Sequence, residues 1–176
     1  MPTTSKEELV EFLKQQENAA LAAGDMSYMR HASPEGGTDT VGFGHKLTPE
    51  EEKTGIVYGM PIDKLDTKMA EAILRFDIAK HEKTLDRSLQ AKHGIALTDL
   101  SPRKQMMLLD YEFNLGSATK KFPSFTAAVL AGDEKKQLDE MTRHFTDPAG
   151  VTKPLARNRH FYNAFMSTDA KARLGD

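Results

Sequence analysis

The sequence predicts an α+β chain, mostly helical, with a small antiparallel sheet in its N-terminal lobe and a long helix linking to a helical C-terminal lobe. Three observations predict it. An amphipathic helical pattern opens the chain. Residues 25–60 turn rich in Gly, Pro, Ser and Thr around short strand-like runs. From Leu65 onward the apolar residues recur at helical spacing. With 176 residues the chain is long enough for one domain with a real core. Its expected parts are a helix-and-sheet lobe at 1–64, a linking helix at 65–91 and a helical lobe at 92–176. A long helix joining two lobes would leave a cleft, where ligand sites concentrate.

Each element has a local reason. Ser5 followed by Glu8 has the spacing of a capping box, and the helix it opens should run to about Ala23, with Gly24 ending it. Strand-like pieces follow at 28–31, 40–43 and 56–58, separated by a turn at 33–37 and another at 46–49. Within them, Thr40-Val41-Gly42-Phe43-Gly44-His45 reads as a twisted strand whose backbone something large approaches closely. A helix is predicted at 67–91, with Met69, Ala72, Ile73, Phe76, Ala79 and Lys80 on its inner side. Ser101 as N-cap and Pro102 at the first helical position start another, through Leu115, and Gly116 stops it. Shorter helices are expected at 124–131, 134–145 and 155–166.

Composition narrows the function. The 24 basic and 26 acidic residues give a net charge of −2, with no nucleic-acid footprint. Residues 1–88 carry a net of −5 and residues 89–176 a net of +3, so an anionic polymer would find its counter-charge mainly on the second half. There is no cysteine, which permits a reducing compartment. The N-terminus lacks the apolar core of a signal peptide, and no apolar run is long enough to span a membrane. The six histidines show no metal spacing, so neither metal nor cofactor is expected. Gly36-Gly37 and Gly42-x-Gly44 open no helix, which argues against a phosphate loop, and Ser33 has no nucleophile-elbow context.

Two groups carry candidate chemistry. In helical projection Glu17 falls in the series of Leu9, Leu13 and Leu21, whereas Glu7, Glu8 and Glu11 project to the other side. A carboxyl on the apolar stripe is either paired to an Arg or Lys, or raised in pKa by burial so that it can act as a general acid. His45 reads as a base, a ligand or a structural group. A His45–Asp77 ion pair linking sheet to helix would be a matter of stability rather than catalysis.

Taken in order, these motifs resemble the phage-type lysozymes, the endolysin muramidases of glycoside hydrolase family 24. Thr40 to His45 match the family's T-[IV]-G-[YFI]-G-H strand. Ala70 to Asp77 is similar to its A-x-x-L-x-x-D helix, and Phe113-Asn114-Leu115-Gly116 to its F-N-x-G signature. Lys121 to Thr126 with Ala131-Gly132-Asp133 resembles the following loop and helix, and Leu155 to Arg159 its L-x-x-R-R. The resemblance covers residues 5–166 and implies a lysozyme-like fold and a monomer acting on bacterial peptidoglycan, without nucleic acid or membrane insertion. It implies Glu17 as general acid, Thr40 positioning the water or sugar, and His45 with Asp77 as a structural ion pair. Asn114 would lie near substrate, and Arg157 and Arg159 would support the acid or meet peptide-stem carboxylates. An endolysin without a signal peptide would wait in the host cytoplasm and act on the wall after a pore opens; a domain of a virion protein is the other origin.

The chain departs from the family in two places. The interval from Glu17 to Thr40 is longer than usual, and Asp25 would fit an ungapped spacing better, although it lies beyond the helix-ending glycine. The family's aspartate should fall near Ser33-Pro34, where no carboxylate stands. Glu35, Asp39 and His31 are the nearest substitutes. Glu35 would be the base if its turn points inward, and an exposed turn residue otherwise; His31 would be a substrate contact or the base. An inverting hydrolase needs such a base about 6.5–9.5 Å from its acid. A lytic transglycosylase works with one glutamate and gives 1,6-anhydro products, and a binding module needs neither.

Overall fold

The computed structural model describes residues 3–33 and 36–175. Two compact units emerge, one formed by residues 7–80, the other by residues 81–175 with the start of the first helix. Helix α1 (Thr3–Ala22) begins ahead of Ser5, which is buried within it, so the Ser5–Glu8 spacing does not mark the helix start. Leu9, Val10, Leu13 and Leu21 of α1 are fully buried. The helix is broken at Asn18, whose φ/ψ of −157°/76° is extended.

The first unit builds a three-stranded antiparallel sheet from β1 (Arg30–His31), β2 (Thr40–Val41) and β3 (His45–Lys46), in that order. His31 faces Thr40, which faces Lys46; Arg30 faces Val41, which faces His45. The strand expected over 40–43 is therefore shorter. Gly42-Phe43-Gly44 is the hairpin connection, and its glycines take φ of +60° and +88°, the left-handed region that other residues avoid.

Helix α2 (Pro49–Thr54) follows the turn expected at 46–49, in a stretch where only sheet and turns were expected. Thr48 and Glu51 form a complete capping box and Pro49 leads the first turn. A second hairpin follows, β4 (Ile56–Val57) and β5 (Met60–Pro61), turned by Tyr58-Gly59.

Helix α3 (Thr67–His93) buries Ala70, Ile73, Leu74, Asp77 and Ile78 in this unit, a face rotated from the predicted one. Phe76 is 51% exposed, with its ring 5.1 Å from that of Tyr58. Asp77 takes the inward place because hydrogen-bond partners await it there. Charges tie α1 to α3: Arg75 holds Glu7 at 2.6 Å and Glu71 at 2.7 Å, and Lys14 reaches Glu71 at 3.1 Å.

The second unit is helical. Helix α4 (Pro102–Leu115) is capped by Ser101, whose side chain accepts from the Lys104 N–H, and ends at Gly116. Helices α5 (Ala118–Lys121), α6 (Pro123–Ala131) and α7 (Glu134–Glu140) follow. The helix expected to continue to 145 stops at Glu140. The chain instead forms a hairpin of β6 (His144–Thr146) and β7 (Thr152–Pro154), because the Asp147 carboxylate accepts from the Ala149 and Val151 N–H groups and fixes a turn. Helix α8 (Arg157–Phe161) runs on as a π-helical turn (Tyr162–Met166), and α9 (Thr168–Leu174) starts at the Ser167 cap.

In the core of this unit Tyr111 stacks on Phe125 at 4.1 Å and meets Phe161 edge-on. Burial pushes the Tyr111 hydroxyl up to about 12. Among the described residues no helix is long and apolar enough to cross a membrane.

Candidate active site

Glu17 stands at the end of the unbroken part of α1, half-buried. Its side chain lies on the hairpin tip. A Cβ added to Gly44 would sit 3.0 Å from Glu17 Oε2 and 3.2 Å from its Cγ. The large group that approaches this backbone is thus the Glu17 side chain itself. At the other glycine, Gly42, a Cβ would meet Ala70 of α3 at 3.2 Å. Phe43 between them is buried, with the Lys14 ammonium 5.8 Å from its ring centroid. The tip is therefore wedged between α1 and α3; backbone conformation favours glycine at both places, and a side chain at either would press on its neighbour.

Asn18, which the sequence reading passed over, joins helix to tip. Its Nδ2 donates to the carbonyls of Gly42 and Tyr28, both at 2.9 Å. Its Oδ1 accepts from the Leu21 N–H at 3.1 Å, the bond an N-cap makes to the third residue of the turn it starts. The signal was an asparagine, a weak helix former and strong N-cap, directly after the glutamate on the apolar stripe.

Thr40 is 8% exposed and lies directly across from His31, which is half-buried. Among the described residues the buried Nδ1 atom of His31 has no hydrogen-bond partner. Glu35 and Pro34 lie outside the described residues. The alternative carboxylates have other tasks. Asp25 caps a short turn, accepting from the N–H and hydroxyl of Ser27, which hold its pKa below the usual range. Asp39 is paired with Arg30 at 2.7 Å.

His45 is buried at the foot of the hairpin. Its Nδ1 is 2.8 Å from Asp77 Oδ2 and its Nε2 is 3.2 Å from Glu51 Oε2. Tyr58 donates its hydroxyl to Asp77 Oδ1 at 2.7 Å. Burial alone would pull the His45 pKa down, but Asp77 and then Glu51 outweigh it, and the net direction is up. The capping glutamate Glu51 was passed over together with α2, although Thr48-Pro49-Glu50-Glu51 spells its capping box.

Asn114 and Arg157 belong to the second unit. Asn114 is half-buried in the last turn of α4. Arg157 places Nη2 2.5 Å from Asp110 Oδ1, so its guanidinium meets a carboxylate of the protein's own core. Among the described residues no group of three or more His, Cys, Asp or Glu side chains is arranged to hold a metal ion. A groove of about 750 Å³ in the first unit is lined by Met26, Met29, Arg30, Ile56, Ile62 and Leu65 among others, and includes none of Glu17, Thr40 or His31.

Comparison with solved structures adds the fold. The chain is similar to the muramidase domain of SpmX from Asticaccaulis excentricus, with 17% identity and a TM-score of 0.55 over 90% of this chain and 95% of that one. The fold is lysozyme-like. No family model matches the sequence, and no curated protein matches it.

Proposed function

We propose that this chain is a peptidoglycan glycosidase, a muramidase that hydrolyses the bond between N-acetylmuramic acid and N-acetylglucosamine. The observation that carries the reading is the Glu17 side chain laid against Gly44, a glycine whose hydrogen leaves room for it. A half-buried carboxyl packed on a rigid hairpin tip is suited to delivering a proton. The lysozyme-like fold, shared with a domain described as a muramidase, supports the same class.

In this mechanism Glu17 protonates the glycosidic oxygen as the C1–O bond breaks. Water adds to C1, positioned by Thr40, and gives its proton to a base. The base is assigned to the segment joining β1 and β2, where Glu35 stands, with His31 at its edge as the other candidate. His45 and Asp77 hold the hairpin in place. Asn114 is proposed to contact the glycan. The steps use side chains and water alone. As a biological setting we propose a monomeric phage endolysin, antimicrobial in effect, that accumulates in the host cytoplasm and acts on the cell wall.

The test is mass spectrometry of purified peptidoglycan digested by the wild type and by Glu17→Gln. Reducing muropeptides from the wild type and none from the variant are expected. Glu35→Gln and His31→Asn then identify the base by which of them abolishes water addition. Anhydro products would replace hydrolysis with the lytic transglycosylase route. No product from the wild type, where a control enzyme cuts, would overturn the enzymatic reading in favour of a binding module.

A further inference from the structure

We infer that Asn18 is the positioning residue of this site, setting where the Glu17 carboxyl stands relative to the hairpin tip. The inference rests on the reading of Glu17 as the acid. Three bonds converge on this one side chain. Its amide nitrogen closes on the Gly42 and Tyr28 carbonyls, and its oxygen caps the last turn of α1 at the Leu21 N–H. Asn18 is buried, and so are its bonds to the Gly42 carbonyl and the Leu21 N–H, so these two groups would otherwise be left without a partner in the interior.

The geometry is economical. The α-helix gives way to extended backbone at the residue after Glu17. That break lets the Asn18 side chain reach the near end of the Gly42-Phe43-Gly44 tip, while the Glu17 side chain covers the far end at Gly44. Two consecutive residues thus grip one three-residue tip, one through its carbonyl and one through its glycine face. Any shift of the tip against α1 must break the Asn18–Gly42 bond. An acid held this way keeps its place when substrate arrives, and a displacement of about 1 Å at such a group can cost about 100-fold in rate.

Serine separates the clamp from the cap. Asn18→Ser keeps an oxygen for the Leu21 N–H but has no amide to reach Gly42 and Tyr28, and it adds no charge beside Glu17. Asn18→Ala loses both. Activity on soluble glycan chains and the carboxyl ¹³C titration of Glu17, read with the Gly44 amide shift, should be measured for wild type and both variants.

For Asn18→Ser we expect kcat to fall about 10–100-fold with KM within about two-fold, a shifted acid limb in the pH profile, and a displaced Glu17 titration and Gly44 amide. Unchanged Glu17 titration and Gly44 shift in a folded Asn18→Ser protein would overturn the inference, whatever the wild-type activity. A wild type that digests nothing, while Asn18→Ser still displaces both signals, would sink the muramidase reading and leave the positioning role standing.

Discussion

Two buried aspartates, one in each unit, are fastened in opposite ways. Asp110 of α4 is fully buried between two guanidiniums, Arg143 at 2.6 Å and Arg157 at 2.5 Å, and Arg143 also lies 4.1 Å from the Tyr111 ring centroid. Asp77 of α3 is held by an imidazole and a phenol. Guanidiniums stay charged at every pH the protein meets, whereas an imidazole changes charge near neutrality. The cations of the second unit's lock thus do not titrate there. The first unit, which carries Glu17, is held by one that does. Each buried carboxylate has its partners supplied, but only the imidazole among those partners changes charge near neutrality.

The largest effect should come from breaking the fixed lock. Asp110→Asn leaves Arg143 and Arg157 without their carboxylate in a dry setting. Removing one partner of a buried ion pair costs about 3–5 kcal/mol. Chemical denaturation should show that loss, nearly constant from pH 5 to pH 8 on the order-of-magnitude expectation that guanidiniums do not titrate there. A marked pH dependence of the loss would mean that a titrating group shares the site.

Next in size is Gly44→Ala, which adds a methyl 3.0 Å from Glu17 Oε2 at a φ of +88°. The left-handed backbone alone costs an alanine about 1–2 kcal/mol, and Glu17 must also move aside. Stability should fall by about 2 kcal/mol, and glycan cleavage should fall much further than that loss explains. An alanine variant with wild-type activity would remove the hairpin tip from the chemistry.

How much of this was legible in the sequence differs between the same two units. Helix α4 was readable because Ser101-Pro102 and Gly116 are local signals that act on their own neighbours. The Thr40–His45 run was noticed but misread as strand. Its glycines are explained by Glu17 and Ala70, residues far away in sequence, so only the folded chain identifies the approaching group. The inner face of α3 was misjudged at Phe76, which counting apolar residues places inward and which is exposed. Asp77 opposite His45 was legible as an ion pair across sheet and helix; Tyr58, its other partner, lies in a hairpin that no helical projection contains. Helix α2 was readable and overlooked, since its capping box is complete in the sequence. The β6–β7 hairpin follows from the side chain of Asp147, whose turn competes with the helical pattern around it.

The titratable lock makes a signed prediction. The His45 pKa is raised in the folded protein from its ordinary 6.5, so its ion pairs stabilise fully below that value and lose their effect as pH rises through the raised one. Glu51 runs the other way. Burial would raise its pKa, but its bonds to Thr48 and then His45 bring the net below 4.5, so its contribution holds above that value and is lost on acidification. The destabilisation caused by His45→Asn should therefore be greatest between about pH 4.5 and 6.5 and shrink toward alkaline pH. Thermal unfolding of both proteins across pH measures it. A difference that grows above neutrality would reverse the assignment.

The smallest effect is expected from Tyr58→Phe. It removes one hydrogen bond to Asp77 Oδ1, made at 2.7 Å by a residue that is half-exposed, and should cost about 1 kcal/mol. Its value lies in the sign of a second change. The phenol and the imidazole compete for one carboxylate. With the phenol gone, Asp77 keeps more of its charge for His45, and the His45 titration followed by NMR should move further upward. If it moves down instead, the phenol supports the imidazole pair by orienting Asp77, and the three groups act as a chain rather than as two donors on one acceptor.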